Sequence, residues 1–168
     1  MAHIRKANEN DIADILHITK DAFRLYQKQL QTSVEVVALH ETKQDILNDI
    51  VNHTVFVAED SGKVFGAVRY TMLSSNVAYL YRFAVEGNTS HIGAGSHLLK
   101  AVIDDCTAKG ATALTLHTNA KHFSLARYYY GKDFFIHSTD NSKGYIRALF
   151  VKELAKDKTY DITPALNK

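Results

Sequence analysis

The sequence predicts an α/β fold, with helices packed on one mixed sheet in the order β-α-α-β-β-β-α-β-α-β-β. Three observations carry this reading. Segments with helical apolar spacing alternate along the chain with β-branched and aromatic runs. Two of those runs are separated by the turn residues Asp60, Ser61 and Gly62, the signature of a hairpin. A later apolar run leads straight into a glycine-bearing loop and then a helical pattern. The 168 residues suffice for one domain with a real core. We expect that domain over 1–154, with 155–168 as a polar, loosely held tail containing the single proline, Pro164.

The elements follow in order. A short strand at His3–Lys6 precedes Asn8, an N-cap candidate with Asp11 three residues on. Ile12, Ile15, Leu16, Thr19, Phe23 and Tyr26 then share one helical face. Residues 27–41 are mixed in period and predict a loop or short helical turn. Thr42 and Asp45 form a variant capping box before Ile46, Leu47, Ile50 and Val51. The strands "TVFVAED", "VFGAVRYTML" and "VAYLYRFAV" come next. Leu98 to Lys109 reads as an amphipathic helix stopped by Gly110, and "ATALTLHT" as a strand. A helical stretch from about Lys121 to Tyr130 leads to a closing hairpin, "DFFIHST" and "YIRALFVKEL" around "DNSKG".

Composition removes several classes of function. A net charge of +2, with no basic block, argues against a nucleic-acid partner. No apolar run is long enough to span a bilayer, and "MAHIRKANEND" has no apolar signal core, so no membrane association is expected and the cytoplasm is the expected compartment. Nine histidines fall into no metal-ligand spacing, and no metal site is expected. The lone Cys106 follows Leu98, Leu99, Val102 and Ile103 at helical spacing and reads as packing rather than nucleophile.

The loop "SHIGAGS" places Gly93 and Gly95 where a helix must begin. The first turn of a helix offers unpaired N–H groups and the positive end of its dipole, and missing side chains let an anion approach the backbone. Ser96 adds a hydroxyl. Spacing alone leaves a purely structural turn open, since Leu98 stands where a dinucleotide fingerprint has its last glycine.

The longer stretch "FAVEGNTSHIGAGSHLLKAVIDDCTAKGATALTLHT" resembles the central motif of the GNAT superfamily of N-acetyltransferases. Downstream, "HFSLARYYYGKDFF" is similar to that superfamily's second signature, and the likeness covers about residues 3–154. The sequence departs from the pattern at Gly87, Ser90, His91, His122 and Asp133. The resemblance implies a mostly antiparallel central sheet flanked by helices, counted α+β by some schemes. It also implies binding of acetyl-CoA as co-substrate. The pyrophosphate would lie on the backbone of Ser90, His91, Ile92, Gly93, Ala94, Gly95 and Ser96, with Lys100 and Lys121 nearby as phosphate partners or as solvated surface residues. The pantetheine arm would pair like a strand with Phe83, Ala84 and Val85. His122, in the slot of a common asparagine, is the remaining cofactor-binding candidate.

The implied reaction is transfer of the acetyl group to a primary amine by direct attack, with Tyr129 in the family's tyrosine slot as general acid toward the leaving thiolate. An alkylamine is about one part in 10³ neutral at pH 7, so a base or water relay should help. The glutamate that several family members carry before the loop is absent from Tyr79-Leu80-Tyr81-Arg82-Phe83. Tyr79, Tyr81 and His117 remain as a water-linked alternative. Acceptor recognition is expected from residues 24–41, from Arg69 and Tyr70, and from the turn 138–144. Tyr26, His40 and Asp140 are candidates there, for a small-molecule amine or a peptide or protein amine. A non-catalytic acyl-CoA sensor on the same fold is the rival reading, and exposed strand edges near the last hairpin leave a homodimer open.

Overall fold

A computed structural model describes residues 2–87 and 93–168. Strand β1 (His3–Lys6) is followed by a capped 3-10 turn and helix α1 (Ile12–Leu30). Asn8 and Asp11 form the expected reciprocal cap. A second 3-10 turn spans Val37–His40, and Thr42 with Asp45 caps α2 (Lys43–Asn52) in the same way. Strands β2 (Thr54–Asp60), β3 (Lys63–Met72) and β4 (Val77–Val85) form a meander. Then come α3 (Ala94–Ala108), β5 (Ala113–Asn119), α4 (Phe123–Tyr130), β6 (Phe135–Asp140), β7 (Arg147–Glu153) and a short α5 (Thr163–Leu166).

The seven strands form one sheet in the order β1-β2-β3-β4-β5-β7-β6. All neighbours are antiparallel except β4 and β5. This is the mixed, helix-flanked sheet that the sequence predicts. The alternation of side chains explains its two cores. Phe56 and Ala58 of β2 face α3, packing with Leu98, Leu99 and Val102. Val55 and Val57 face the other way, onto Ile15, Ile18 and Ile46 of α1 and α2. Cys106 is fully buried in the first core, and burial pushes its thiol up to about 12, so it packs and does not act as a nucleophile.

Two local departures from regularity matter for function. The parallel pair β4–β5 holds only over Val77–Tyr79 against Ala113–Thr115. Beyond it the strands separate, and among the described residues no ladder joins Leu80–Val85 to Leu116–Asn119. Second, the register of β4 against β3 slips by one residue between the pairs Ala67↔Ala84 and Arg69↔Tyr81. The extra residue is a bulge, with Arg82 at φ 51, a left-handed conformation uncommon for a residue with a side chain.

Arg69 is fully buried on β3, where it binds both oxygens of Glu41 at 2.6 and 2.8 Å and Asp49 at 2.9 Å. It ties the end of the second 3-10 turn and α2 to the sheet. The expectation that residues 155–168 are loosely held meets a different outcome. A helix forms there, and Ala165 is fully buried against Ala113, Leu149 and Val151, so the segment is docked rather than loosely held.

Candidate active site

The separation of β4 from β5 opens a cleft of about 1270 Å³ on the sheet. Its floor is β4 from Tyr79 to Val85 and β5 from Leu116 to Thr118. Phe23 and Tyr26 near the end of α1 make one wall. Gln27 extends that wall by donating to the Val34 carbonyl at 3.1 Å and accepting from the Val36 N–H at 2.7 Å. The turn after β6 closes the top. Gly144 sits there at φ +85, where an added Cβ would stand 2.6 Å from a methyl of Val34, so the close approach of the two segments requires glycine. Thr32 donates to the Gly144 carbonyl at 3.1 Å and fastens the contact.

At one end of the cleft lies the start of α3. Gly93 precedes it at φ +86, and a side chain there would enter open space. A Cβ on Gly95 would meet the Phe83 ring at 3.7 Å and the Tyr128 hydroxyl at 3.9 Å. That hydroxyl is buried beside the Ser96 side chain. Unpaired N–H groups of a helix's first turn, an open approach and a donor hydroxyl together suit an anionic oxygen. The helix begins at Ala94, four residues earlier than its apolar pattern indicates, because its first turn carries small residues rather than apolar ones. Ser90, His91 and Ile92 lie outside the described residues. Lys100 pairs with Asp104 on the exposed face of α3, the surface alternative for that lysine.

Phe83, Ala84 and Val85 all line the cleft, on the edge of β4 that β5 has left. His122 lines it too and serves as N-cap of α4, its Nδ1 accepting from the Leu125 N–H at 3.2 Å. Its neutral ring therefore carries the proton on Nε2. Lys121 lies in an adjoining cavity of about 600 Å³ that shares His122, Gln29 and Tyr145.

Tyr129 reaches the cleft from α4 with its ring 6% exposed, held by Phe134 and Phe150 at centroid distances of 5.4 Å. Burial raises its phenol above the ordinary range, so it keeps its proton. Asp133, in the position of the family's glycine, has φ 64; aspartate tolerates this conformation, which explains why the turn into Phe134 survives the replacement.

On the opposite side, Tyr79 Oη and His117 Nδ1 lie 2.8 Å apart across the opened strands. Burial, then the Arg147 cation, lowers the imidazole to about 4, outweighing Asp140, whose carboxylate is 3.9 Å from Nε2. Burial raises the Tyr79 phenol to about 12. Tyr81 stacks on Tyr79 at 6.4 Å, so the three groups expected to stand near a proton path are brought together. Tyr26 also reaches the cleft, donating to the Tyr145 hydroxyl at 3.3 Å.

The remaining acceptor candidates do not line it. Tyr70 is buried under α3 and donates to Asp105, Arg69 is in the opposite core, and His40 pairs with Glu35 at the surface. Asp140 stands behind Arg147, binding its Nε with both oxygens at 3.0 Å. Sequence reading missed Phe23, Arg82, Tyr145 and Arg147 as cleft residues. The bulge at Arg82 leaves no pattern in the sequence, while Tyr145 and Arg147 flank a turn whose position over β5 depends on the strand order β5-β7-β6.

A sheet parted between two parallel strands, with a glycine-led helix at the mouth, is the frame of a group-transfer enzyme. The chain belongs to the acetyltransferase (GNAT) family, whose sequence profile matches residues 13–134. No curated protein matches it. Among solved structures, the PaiA N-acetyltransferase from Thermoplasma acidophilum in complex with coenzyme A is similar, with a TM-score of 0.79, 18% identity, and coverage of 91% of this chain and 99% of that one. An N-acetyltransferase from Staphylococcus aureus Mu50 gives 0.70 at 20% identity, covering 92% and 99%. The ribosomal-protein-S18-alanine N-acetyltransferase from Escherichia coli gives 0.70 at 17%, covering 96% and 100%.

Proposed function

We propose that this protein transfers the acetyl group of acetyl-CoA to a primary amine by direct attack in the cleft. The parting of β4 from β5 beside the start of α3 carries this reading, since one opening offers both an anion-binding helix end and an unpaired strand edge. Gly93 to Ser96 and the Tyr128 hydroxyl would hold the pyrophosphate, and Phe83 to Val85 the pantetheine arm. His122 would offer Nε2–H beside them. Acetyl-CoA supplies the activated acyl thioester.

The chain's own residues then have three tasks. The floor and walls orient the amine. A backbone N–H near Val85 would donate to the thioester oxygen. Tyr129 would hydrogen-bond to the departing sulfur and donate its proton as negative charge develops there; burial keeps that proton in place but, by raising the phenol further above a thiol's ordinary pKa of about 8.5, makes the transfer itself less favourable. His117 is neutral at pH 7 and, at about 4, is too weak a base to take a proton from a free ammonium; with Tyr79 it would orient water around an amine that binds neutral.

The test is calorimetric titration with acetyl-CoA beside an assay of CoA release with amines. Wild type should bind and turn over. Gly93→Val, which fills the open approach and also strains a backbone held at φ +86, should lose binding while circular dichroism shows it folded. Tyr129→Phe should keep acetyl-CoA affinity and lose roughly 10²- to 10⁴-fold in kcat. Binding without CoA release for any amine would make the protein an acyl-CoA sensor instead.

A further inference from the structure

The charges around the acceptor half of the cleft have an uneven sign. Among the described lining residues, Arg82, Lys143 and Arg147 are cationic, Glu35 is the one carboxylate side chain, and Lys168 carries an ammonium and the terminal carboxylate together. Glu35 stands at the rim, 57% exposed, and is already 2.9 Å from His40. Glu41, Asp49 and Asp140 lie behind the lining, held by Arg69 and Arg147. Such a cleft has no acidic partners to spare for the several ammonium groups of a polyamine or an amino sugar. The surface between the charges is aromatic, with Phe23, Tyr26, Tyr79, Tyr81 and Tyr145 around the opening.

Arg82 is the residue that the backbone goes out of its way to present. The bulge turns two successive residues of β4 to the same face: Tyr81 packs edge-on to His53 of the α2 end, and Arg82 reaches Glu41 through Nε at 3.3 Å. Its guanidinium lies 5.8 Å over the Phe23 ring, and its side chain remains 24% exposed in the cleft. Left-handed backbone at a residue with a side chain is destabilising and concentrates at functional sites. A guanidinium fork has five N–H donors and suits a carboxylate bidentately.

We propose that the acceptor is an α-amino acid with an apolar or aromatic side chain, whose carboxylate is bound by Arg82 while its body lies on the tyrosine-lined floor and its amine faces the thioester. This rests on the acetyl-transfer reading above. In the reaction the amine nitrogen forms the new bond to the acyl carbon and the carbon–sulfur bond breaks; the nitrogen's proton passes to water, the departing sulfur takes Tyr129's proton to become the thiol, and Tyr129 regains a proton from solvent. Lys143 lies on the turn above the same opening and adds positive potential there, reinforcing the preference for an anionic acceptor.

The experiment compares phenylalanine, phenylalaninamide, phenethylamine and spermidine as acceptors for the full chain, with kcat/KM expressed per neutral amine. Phenylalanine should exceed phenylalaninamide and phenethylamine at least tenfold, with spermidine poorest. In Arg82→Gln that ratio should fall toward one, and Arg82→Lys should retain part of it. Equal or better use of phenethylamine or spermidine overturns the proposal, as does an unchanged ratio in Arg82→Gln. The wild-type comparison stands even if a variant fails to fold. Calorimetry separates the two levels: acetyl-CoA binding with the wrong acceptor order removes only the amino-acid assignment, whereas no acetyl-CoA binding removes the transfer reading with it.

Discussion

His117 shows how a single side chain couples the site to stability. Its ordinary pKa is about 6.5, and in the folded protein burial and Arg147 lower it to about 4. Between those values the unfolded chain takes up a proton that the folded one refuses, so this contribution is complete above pH 6.5 and is lost as the pH falls toward 4. Asp140 acts lower down: burial opposes its charge, but Ser142 and Arg147 hold it at about 2, so its contribution disappears only below 3.8. Urea midpoints measured from pH 7 to 4.5 should therefore fall more steeply for wild type than for His117→Gln. Glu41 is the second residue of this kind. Glu41→Gln leaves the buried Arg69 cation short of its bidentate partner, and should cost about 3 kcal/mol in urea unfolding, since a buried pair broken on one side strands a charge. A loss below about 1 kcal/mol would show that Asp49 alone suffices for Arg69.

At the scale of elements, the least anticipated is α5. Four residues of helix are too few to be stable alone. It persists because Ala165 fits without exposure against β5 and β7, while Ile162 and Tyr160 pack on the same cluster and Thr159 accepts from Asn76 Nδ2 at 3.1 Å. Leu73 and Tyr79 belong to that cluster, and Lys168 comes to line the cleft. Ala165→Asp should release the segment, seen as faster proteolysis after Leu154, and should change acceptor KM more than acetyl-CoA affinity. Equal proteolysis of the variant and wild type would show the docking to be unimportant. The polar composition of 155–168 hides this, because the anchor is one small apolar residue among charged ones.

For the whole molecule, the cleft's proton chemistry predicts the pH dependence of turnover. His117 is neutral above about 4 and Tyr79 stays protonated to about 12, so neither changes state between pH 5.5 and 9. The logarithm of kcat/KM should then rise with unit slope until the acceptor amine's own pKa, and the inflection should move when an acceptor of different pKa is used. An inflection near 6.5 that ignores the acceptor would instead identify a titrating enzyme base.

The sequence by itself determined the order of the strands and of the helices up to β7, because capping boxes at Asn8 and Thr42, turn residues at Asp60–Gly62 and apolar periodicity are local properties of the chain. Contiguous motifs also placed Gly93 and Gly95 at the start of α3 and Tyr129 on α4. Tertiary structure alone decided what faces the acceptor. The parting of β4 from β5, the bulge that turns Arg82 into the cleft, the burial of Arg69 and Tyr70 away from it, and the seating of Tyr145 over the floor all depend on residues far apart in sequence. A strand's alternation gives which residues share a face, but a one-residue bulge reverses that assignment, and only the register against β3 fixes where it falls.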